Sequence, residues 1–388
     1  MKYLITGIGL LLGSTAPVLA GGIERAPQSL APLFEEGDYV ELSFGGVDPD
    51  VSGRDLALFG GRGTGDVAQG YGFAGIAYKH QFNPNLSGAF IMEQPFGADI
   101  RYPGGESIAL GGTFVEVNST TYTALLRWKF ENNFSVHGGI RGSRADGEVG
   151  LSGLAYGDPR FPVGDPRRNG LSGYNVDLDS AWGVGWVAGV AYERPDIAAR
   201  VSLTYNSPIE HDFDTTETHP LVGAVGSETT VKTPRSWLLE GQTGIAPDTL
   251  LFGSIRWVNW SEFKVEPVLL VGAPPAGFGV EGGLVELEDT TTYTIGVGRK
   301  FTENWSGSVS VMYEPDGDDL VSPLAPTNGR KGVTLAAIYT QDSFKVTTGV
   351  SYVKLGDAYA ETGTPDEARA RMSGNHAWGV GVRVGYHF

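Results

Sequence analysis

The chain has 388 residues, a formal net charge of −17 and no cysteine. The negative charge disfavours nucleic acid as a partner, and the lack of cysteine excludes disulfides and thiolate metal sites. Glycine is frequent, at 58 residues, and 16 Tyr, 18 Phe and 8 Trp are spread along the whole length. No linker or change of composition divides the sequence, so we expect one folded unit.

The first 20 residues have the pattern of a cleavable secretion signal. Lys2 precedes the apolar run Leu4–Leu12, and Val18–Ala20 supplies a small-residue cleavage site. The apolar run is shorter than the roughly 20 residues that a membrane helix needs. We therefore predict a signal peptide, Met1–Ala20, followed by a short plug segment, Gly21–Asp38.

From Tyr39 onward, segments with a period of two between apolar and polar residues fill the sequence. This pattern predicts an all-β protein with about fourteen strands. The predicted strands are Tyr39–Val47, Gly70–Phe82, Leu86–Pro95, Phe114–Phe130, Phe134–Leu151, Gly173–Tyr192, Ile197–Ser207, Arg235–Ala246, Leu250–Phe263, Thr291–Phe301, Trp305–Glu314, Gly332–Thr340, Phe344–Leu355 and His376–Phe388.

The predicted connections alternate in length. Tight turns such as Asn83–Asn85 and Glu131–Asn133 follow the even-numbered strands. Long segments rich in Gly, Pro and Asp follow the odd-numbered strands, near 48–69, 96–113, 152–172, 208–234, 264–290, 315–331 and 356–375. Short turns on a periplasmic rim and long loops on the outer rim are typical of an outer-membrane barrel. A soluble β-sandwich has no reason to alternate its loop lengths in this way.

The last predicted strand supports the same architecture. The residues of one face are Trp378, Val380, Val382, Val384, Tyr386 and Phe388, and the other face is small or charged. An apolar face that ends on an aromatic residue resembles the closing strand of a Gram-negative outer-membrane barrel. We therefore predict a transmembrane antiparallel β-barrel, 39–388, in contact with outer-membrane lipid and lipopolysaccharide. Barrel-assembly machinery is the expected partner of the strand that ends at Phe388, and a closed barrel without edges favours a monomer.

Cations on the inward positions of the strands are the candidate ligand contacts. By alternation they are Lys79, Arg127, Lys129, Arg141, Arg200, Arg256, Arg299 and Arg383. Arg127 and Arg141, on adjacent strands, could hold a carboxylate by charge-assisted hydrogen bonds. Alternatively, the cations form a structural network inside the lumen with acids such as Glu240.

Other motifs give little support for catalysis or cofactors. The histidines lack metal-ligand spacing, no G-x-S-x-G elbow is present, and His211, Asp212 and His219 in a long loop are a weak hydrolase candidate. Gly277–Gly282 fits G-x-G-x-x-G but lies in a loop. Asp316–Asp319 lacks the spacing of a Ca²⁺ loop. We predict that the protein is not an enzyme and binds no cofactor or metal.

Four groups of residues, each weak alone, occur in a recognisable order. Tyr39–Gly53, then Phe82–Gly88 with Gln94–Gly97, then Pro234–Phe263 and Tyr293–Asp316 follow one another along the chain. Their order and spacing resemble the FadL/TodX-type family of outer-membrane transporters of long-chain fatty acids and hydrocarbons. The resemblance covers essentially the whole mature chain.

This resemblance implies a fourteen-stranded barrel with an N-terminal hatch. A hydrophobic ligand would be caught between the extracellular loops, pass to a lumenal pocket and leave through a lateral opening at a kink in strand 3. The hatch residues would be Leu33, Phe34, Glu35 and Glu36, and the kink would involve Pro95, Phe96 and Gly97. The acidic segment Val285–Asp289 before strand 10 favours an uncharged hydrocarbon over a fatty acid carboxylate.

Two other functions remain open from the sequence. A general diffusion channel for polar solutes would have an open, charged pore, whereas a hydrophobic transporter would have a plugged lumen with an apolar pocket. A structural or adhesive surface barrel would instead use its long loops. Apolar loop residues could line a capture groove or simply hold the loops together; they are Leu221, Val222, Leu269, Leu270 and Phe278.

Overall fold

The computed structural model describes residues 23–26, 28–157, 170–274, 276–363 and 366–388. The predicted signal peptide, Met1–Ala20, and the start of the predicted plug at Gly21 lie outside the described residues. Within the described ranges, no helix is both long enough and apolar enough to cross a membrane.

Fourteen antiparallel strands form a closed barrel, as the sequence predicts. The strands are β1 (Tyr39–Asp50), β2 (Tyr71–Gln81), β3 (Leu86–Glu93 and Gly97–Arg101), β4 (Phe114–Lys129), β5 (Phe134–Leu151), β6 (Tyr174–Arg194), β7 (Ala199–Asn206 and Ile209–His219), β8 (Gly223–Thr233 and Ser236–Ala246), β9 (Thr249–Val258), β10 (Thr290–Lys300), β11 (Trp305–Glu314), β12 (Arg330–Gln341), β13 (Phe344–Leu355) and β14 (His376–His387). Strand β1 pairs with both β14 and β2, which closes the sheet.

The alternation of side chains places apolar residues on the outside of the barrel. In β6, Trp182, Val184 and Trp186 are exposed, whereas Gly183 and Gly185 between them are buried. Polar or small residues fill the inward positions, as in other membrane barrels whose outer face meets lipid. The predicted inside–outside pattern is therefore confirmed for this strand.

Tight turns join the strands at one rim, as predicted. The turns before β9 and β13 each contain an aspartate in the left-handed region, with φ of 57° at Asp248 and 52° at Asp342. Positive φ is the conformation that the shortest hairpin connections require, and Asp tolerates it better than most residues.

The prediction of a loop at 208–234 was wrong, because β7 and β8 continue through this segment as a hairpin. Ile209–His219 pairs with Gly223–Thr233. Ile209 and Phe213 face inward and are buried, whereas Asp212 and the other outward residues are polar. The hairpin therefore has the opposite polarity to a lipid-facing strand, which fits a position beyond the membrane surface.

The remaining loops fold together over the outer mouth of the barrel. Four loop strands form a small sheet in the order Leu320–Val321, Ala358–Thr362, Glu367–Met372 and Gly53–Asp55. The short helix α1 (Val268–Val271) buries Leu269 and Leu270 in the apolar core of these loops, and Phe278 packs against that core. By contrast, Leu221 and Val222 at the hairpin tip are 62% and 50% exposed.

Short 3₁₀ helices complete the secondary structure. They are Ala31–Phe34, Ala57–Phe59, Leu154–Tyr156, Pro195–Ile197 and Trp260–Glu262. The first of these belongs to the plug segment, where Leu30, Leu33 and Phe34 are buried inside the lumen. These side chains pack against inward residues of the barrel wall such as Ile91 and Leu125. We use the word hatch for the described plug residues from Ile23 to Asp38.

Candidate functional site

The wall of the barrel is interrupted where β3 changes direction. The ladder between β2 and β3 ends at the pair Ile76–Met92, and within the described residues Tyr71–Gly75 keep ladder partners on β1 only. The ladder between β3 and β4 passes from the pair Glu93–Thr121 to the pair Gly97–Asn118. Three residues of β3 therefore stand opposite two residues of β4, which is a bulge that bends a strand.

The bulge consists of Gln94, Pro95 and Phe96, and it overlaps Pro95, Phe96 and Gly97, which the family resemblance implied for the kink. Proline supplies no N–H to a ladder and is placed in sheets at edges and bulges. The backbone of Phe96 bonds instead to the Ser119 hydroxyl, which accepts from its N–H at 3.1 Å and donates to its carbonyl oxygen at 2.7 Å. The Ala74 N–H donates to Gln94 Oε1 at 3.1 Å across the gap.

The start of the hatch is hydrogen-bonded to this kink. Glu24 forms an antiparallel bridge with Phe96. The Gly97 N–H donates to the Ile23 carbonyl at 2.8 Å, and the Arg25 N–H donates to the Pro95 carbonyl at 2.8 Å. The hatch thus supplies backbone partners to a part of β3 that has left the regular ladder.

A cavity of about 240 Å³ lies between the hatch and the barrel wall. One side is apolar and adjoins the interruption in the wall, where Phe73, Ala77 and Ile91 have the parity of inward residues. The last pair of the ladder, Ile76–Met92, borders the cavity from the outward face. Hydroxyl groups from the more distant strands form much of the remaining surface; they are Ser254, Thr292, Thr294, Ser308, Ser310, Thr334, Thr347 and Ser351. The cavity can therefore contact both an apolar body and a polar group of one ligand.

Acidic side chains of the hatch are paired with cations of the wall. Arg256 Nη1 donates to Glu24 Oε2 at 2.7 Å, and both side chains are buried. Lys345 Nζ lies 3.1 Å from Glu35 Oε1, and His387 Nε2 lies 3.2 Å from Glu35 Oε2. Burying charge without a partner is costly, so these pairs hold the hatch in place.

Glu24 and Glu35, the two hatch acids in these ion pairs, have opposite pKa shifts. Burial raises the pKa of the Glu24 carboxyl above its ordinary value, against the opposing effect of Arg256. Burial also acts to raise the pKa of Glu35, but Lys345 and His387 together outweigh it and lower this pKa below its ordinary value. Glu24 is therefore the hatch acid that gives up its charge more readily.

The periplasmic end of the hatch is held by an aromatic ring between cations. The Phe34 ring centroid lies 4.6 Å from the Arg127 guanidinium carbon and 4.3 Å from that of Arg200. His137 contacts the same ring edge-on, with centroids 5.8 Å apart. Lys79 Nζ donates to the Gly37 carbonyl at 2.7 Å, which fastens the last turn of the hatch.

The predicted lumenal arginines differ in their surroundings. Arg127 forms an ion pair with Glu193, and Lys129 Nζ lies 3.1 Å from the same carboxylate. Arg383 Nε lies 3.0 Å from Glu41 Oε1. Buried guanidinium nitrogens of Arg141 and Arg200 have no hydrogen-bond partner among the described residues. These two arginines do not line the cavity, whereas Arg256 and Arg383 do.

The prediction that Arg299 faces the lumen was wrong. Arg299 is exposed and shares its face of β10 with Tyr293, Ile295 and Val297, which all point outward. The period of two places it there because it lies an even number of residues from each of them. It lies near the periplasmic end of β10, where a charged side chain reaches water.

Several residues of this site were missed by the sequence analysis. They are Glu24 of the hatch and the wall residues Arg330, Lys345, Glu314 and Glu41, which form ion pairs beside the cavity. Lys345 has the parity of an inward residue in β13, which is a signal that strand alternation could have detected. Glu24, Lys345 and Glu41 have partners far away along the chain, which leave no local pattern. Arg330 and Glu314, by contrast, stand opposite each other on β12 and β11.

The acidic residues before β10 belong to the loops. Glu286 pairs with Lys264 at 3.1 Å, and Asp289 accepts hydrogen bonds from the Asn259 amide and the Ser261 N–H. They do not line the cavity, so the expectation that this segment disfavours a carboxylate ligand loses its basis. Within the described ranges, no group of three His, Asp or Glu side chains is arranged to hold a metal ion.

Comparisons with known proteins agree with this architecture. Residues 27–388 match the family described as outer membrane protein transport protein (OMPP1/FadL/TodX). The chain is 26% identical over 380 residues to a long-chain fatty acid transport protein of Salmonella typhi. The aligned region covers 89% of this chain and 80% of that protein.

Solved structures share the fold at low sequence identity. A FadL homologue of Pseudomonas aeruginosa superposes with a TM-score of 0.72 at 15% identity, with 92% of each chain covered. The toluene transporter TodX of P. putida has a TM-score of 0.64 at 12% identity, with 93% of this chain and 95% of that chain covered. The family consists of outer-membrane transporters and channels rather than enzymes. The chain belongs to the OMPP1/FadL/TodX family of outer-membrane transport proteins.

Proposed function

We propose that this outer-membrane transporter carries long-chain fatty acids or related hydrocarbons from the cell exterior into the membrane through its lumenal cavity. The observation that carries the proposal is the position of the cavity, whose apolar side adjoins the interruption between β2 and β3. The relatives support the same class of cargo. One is named a long-chain fatty acid transport protein and another a toluene transporter.

The exit in this proposal is lateral. A ligand that lies against Phe73, Ala77 and Ile91 faces the part of the wall where the ladder between β2 and β3 has ended. The kink at Pro95, Phe96 and Gly97 would be the gate. The hatch residues, including Leu33–Glu36, would close the direct route towards the periplasm, because they fill the lumen below the cavity.

Among the predicted arginines, Arg256 and Arg383 are our candidates for contact with a ligand carboxylate, because both line the cavity. Arg127 and Arg200 are better explained as supports of the hatch through Phe34. Arg141 lies near Glu93 and contributes to the charge balance of the lumen.

The lateral exit can be tested by stapling the gap. The chain contains no cysteine, so Ala74→Cys with Gln94→Cys introduces one thiol pair on the two sides of the opening. A short bifunctional thiol reagent should abolish the uptake of labelled palmitate and toluene by cells that depend on this protein. A cleavable reagent should allow recovery after reduction.

The matched control places the same cross-link where β2 and β3 are already bonded. Tyr78 and Phe90 are cross-strand partners on the exposed face, so Tyr78→Cys with Phe90→Cys should leave uptake unchanged after cross-linking. Equal uptake by the stapled Ala74–Gln94 variant would contradict a lateral exit. Steady single-channel conductance in a bilayer, with no co-purified hydrophobic molecule detected by native mass spectrometry, would instead support a polar diffusion channel.

We also propose partners for the outer surface. The exposed apolar side chains of the barrel would contact outer-membrane lipid, and lipopolysaccharide would surround the outer rim. The barrel-assembly machinery would recognise β14 and Phe388. Because β1 and β14 pair with each other, the first and last strands of the described barrel sheet are not free for pairing between copies, which favours a monomer.

A further inference from the structure

Among the described residues, four cations line the cavity, and each is paired with a carboxylate. The pairs differ in where the carboxylate comes from. In two pairs the acid belongs to the barrel wall, and in the other two it belongs to the hatch. The wall pairs are Arg330–Glu314 and Arg383–Glu41, and the hatch pairs are Arg256–Glu24 and Lys345–Glu35.

The contact between Arg256 and Glu24 joins a guanidinium group to a carboxylate inside the protein. Arg256 Nη1 donates to Oε2 at 2.7 Å, and Nη2 lies 2.5 Å from Oε1 as an ion contact without hydrogen-bond geometry. One charge-assisted hydrogen bond therefore holds the carboxylate on Arg256. The two side chains are only 7% and 5% exposed, so little water competes for these groups.

The backbone of Glu24 is part of a different contact. It bridges to Phe96, while its neighbours Ile23 and Arg25 exchange hydrogen bonds with Gly97 and Pro95 of the kink. One hatch residue therefore joins a cation on β9 to the proposed gate on β3. A change at the Glu24 side chain acts directly on the backbone that fastens the kink.

We infer that the Glu24 carboxylate is a built-in substitute for the carboxylate of an anionic amphiphilic ligand, and that a ligand which replaces it on Arg256 releases the hatch from the kink. This inference rests on the proposed transport function and specifies its substrate class. The exchange leaves the charge next to Arg256 unchanged, because one carboxylate departs as another arrives. Arg256 is never left buried without a partner during the exchange.

The fate of the displaced Glu24 side chain is consistent with this exchange. Burial raises the pKa of its carboxyl, so the departing group can take up a proton, either from water or from a ligand that arrives as the neutral acid. An alcohol of the same chain length fills the apolar side of the cavity equally well but brings no carboxylate. It should therefore bind without opening the hatch.

Glu24→Gln and its matched control separate the exchange from a general effect of charge. Glu24 and Glu240 both line the cavity and both are buried, but only Glu24 belongs to the hatch. Glu240 accepts a hydrogen bond from the Ser202 hydroxyl, and none of the four ion pairs of the described cavity cations involves it. We would measure the binding of palmitate and hexadecanol to the purified full-length barrel. Glu24→Gln should raise the preference for palmitate about tenfold, whereas Glu240→Gln should change it less than about threefold.

A second readout follows the hatch itself. Ala26→Cys introduces a single thiol into the cysteine-free chain, next to the hydrogen bonds with Pro95. Palmitate should speed the reaction of this thiol with a charged reagent several-fold, and hexadecanol should not. In the Glu24→Gln background, the reaction should be fast without any ligand. Glu24→Asp keeps the charge on a shorter side chain, so the reaction rate of the thiol without ligand should lie between those of the parent and of Glu24→Gln. This variant tests the exchange even if the glutamine variant misfolds.

The possible outcomes distinguish this inference from the proposed function. If neither palmitate nor hexadecanol binds the parent protein, the proposed function fails. If both bind but release the hatch equally, or if Glu24→Gln leaves the preference for palmitate unchanged, only the carboxylate exchange is overturned. An equal gain in Glu240→Gln would also overturn it, because the effect would then come from cavity charge alone.

Discussion

Phe34 is the residue that closes the periplasmic end of the hatch. Its ring lies against the guanidinium groups of both Arg127 and Arg200, and contacts of this kind stabilise by about 0.5–2 kcal/mol each. We predict that Phe34→Ala raises the leak conductance in a planar bilayer, because it removes both the apolar volume and the π face. Phe34→Leu should leak less, since it keeps most of the volume.

The control for Phe34 is Leu33, its neighbour in the same 3₁₀ helix. Leu33 is fully buried in the same small core, but its aliphatic side chain has no π face to offer to a cation. If Leu33→Ala leaks as much as Phe34→Ala, apolar packing holds the hatch and the guanidinium contacts do not.

At the residue scale, the sequence predicted whether a side chain points inward or outward better than it predicted which residues form ion pairs. Arg127 and Arg141 face inward as the period of two requires, and the same rule applied to Tyr293 would have placed Arg299 outside. The pairing of Glu24 with Arg256 joins residues 232 positions apart. Such a contact depends on how the hatch folds back into the lumen, which no local pattern in the sequence indicates.

The loop sheet is an element whose stability should depend on pH. Glu361 lies in the loop strand Ala358–Thr362, where burial and the neighbouring Asp366 raise its pKa to about 7. A raised pKa in the folded state means that the unfolded segment binds fewer protons between the two pKa values. The stabilisation that depends on protonated Glu361 should therefore be fully present below about pH 4.5 and be lost as the pH rises through about 7.

Hydrogen exchange of Ala358–Met372 between about pH 5 and pH 8, corrected for the intrinsic exchange rate, measures this effect. Glu361→Gln carries no charge at any pH and should remove most of the pH dependence. Protection that stays constant across this pH range in the parent protein would show that the protonation of Glu361 does not affect the stability of the loop sheet.

Strands were predictable as elements where one face meets lipid. The bounds of β5, β11 and β13 match the prediction at both ends, because apolar residues alternate with polar ones up to a tight turn. The hairpin Ile209–Thr233 was missed because its outward face is polar. Strand prediction in a membrane barrel expects apolar residues on the outward face, so a polar outward face was interpreted as a loop. The kink at Pro95 was indicated, but the wall gap beside it depends on where pairing between β2 and β3 stops.

For the whole molecule, the last residue should matter for assembly more than for stability. Phe388 donates its backbone N–H to the Asp38 carbonyl at 3.1 Å, and its ring is 62% exposed beside Tyr78 and Tyr386. Its loss removes about one hydrogen bond, which contributes on the order of 1 kcal/mol. The twelve residue pairs between β1 and β14 remain, so a chain without Phe388 should still refold in detergent.

In cells, the same deletion should lower the amount of folded barrel in the outer membrane several-fold if, as we propose, the assembly machinery recognises Phe388. Phe344→Ala is the matched control: this aromatic is similarly exposed, contacts the same Tyr386 ring and starts β13. The amount of heat-modifiable barrel in outer membranes measures assembly, and the refolding yield in detergent measures stability. The two measurements together separate a role of Phe388 in assembly from a role in stability. A deletion that fails equally in both settings would assign Phe388 a structural role. Equal losses in cells for both variants would point instead to the aromatic rim as a whole.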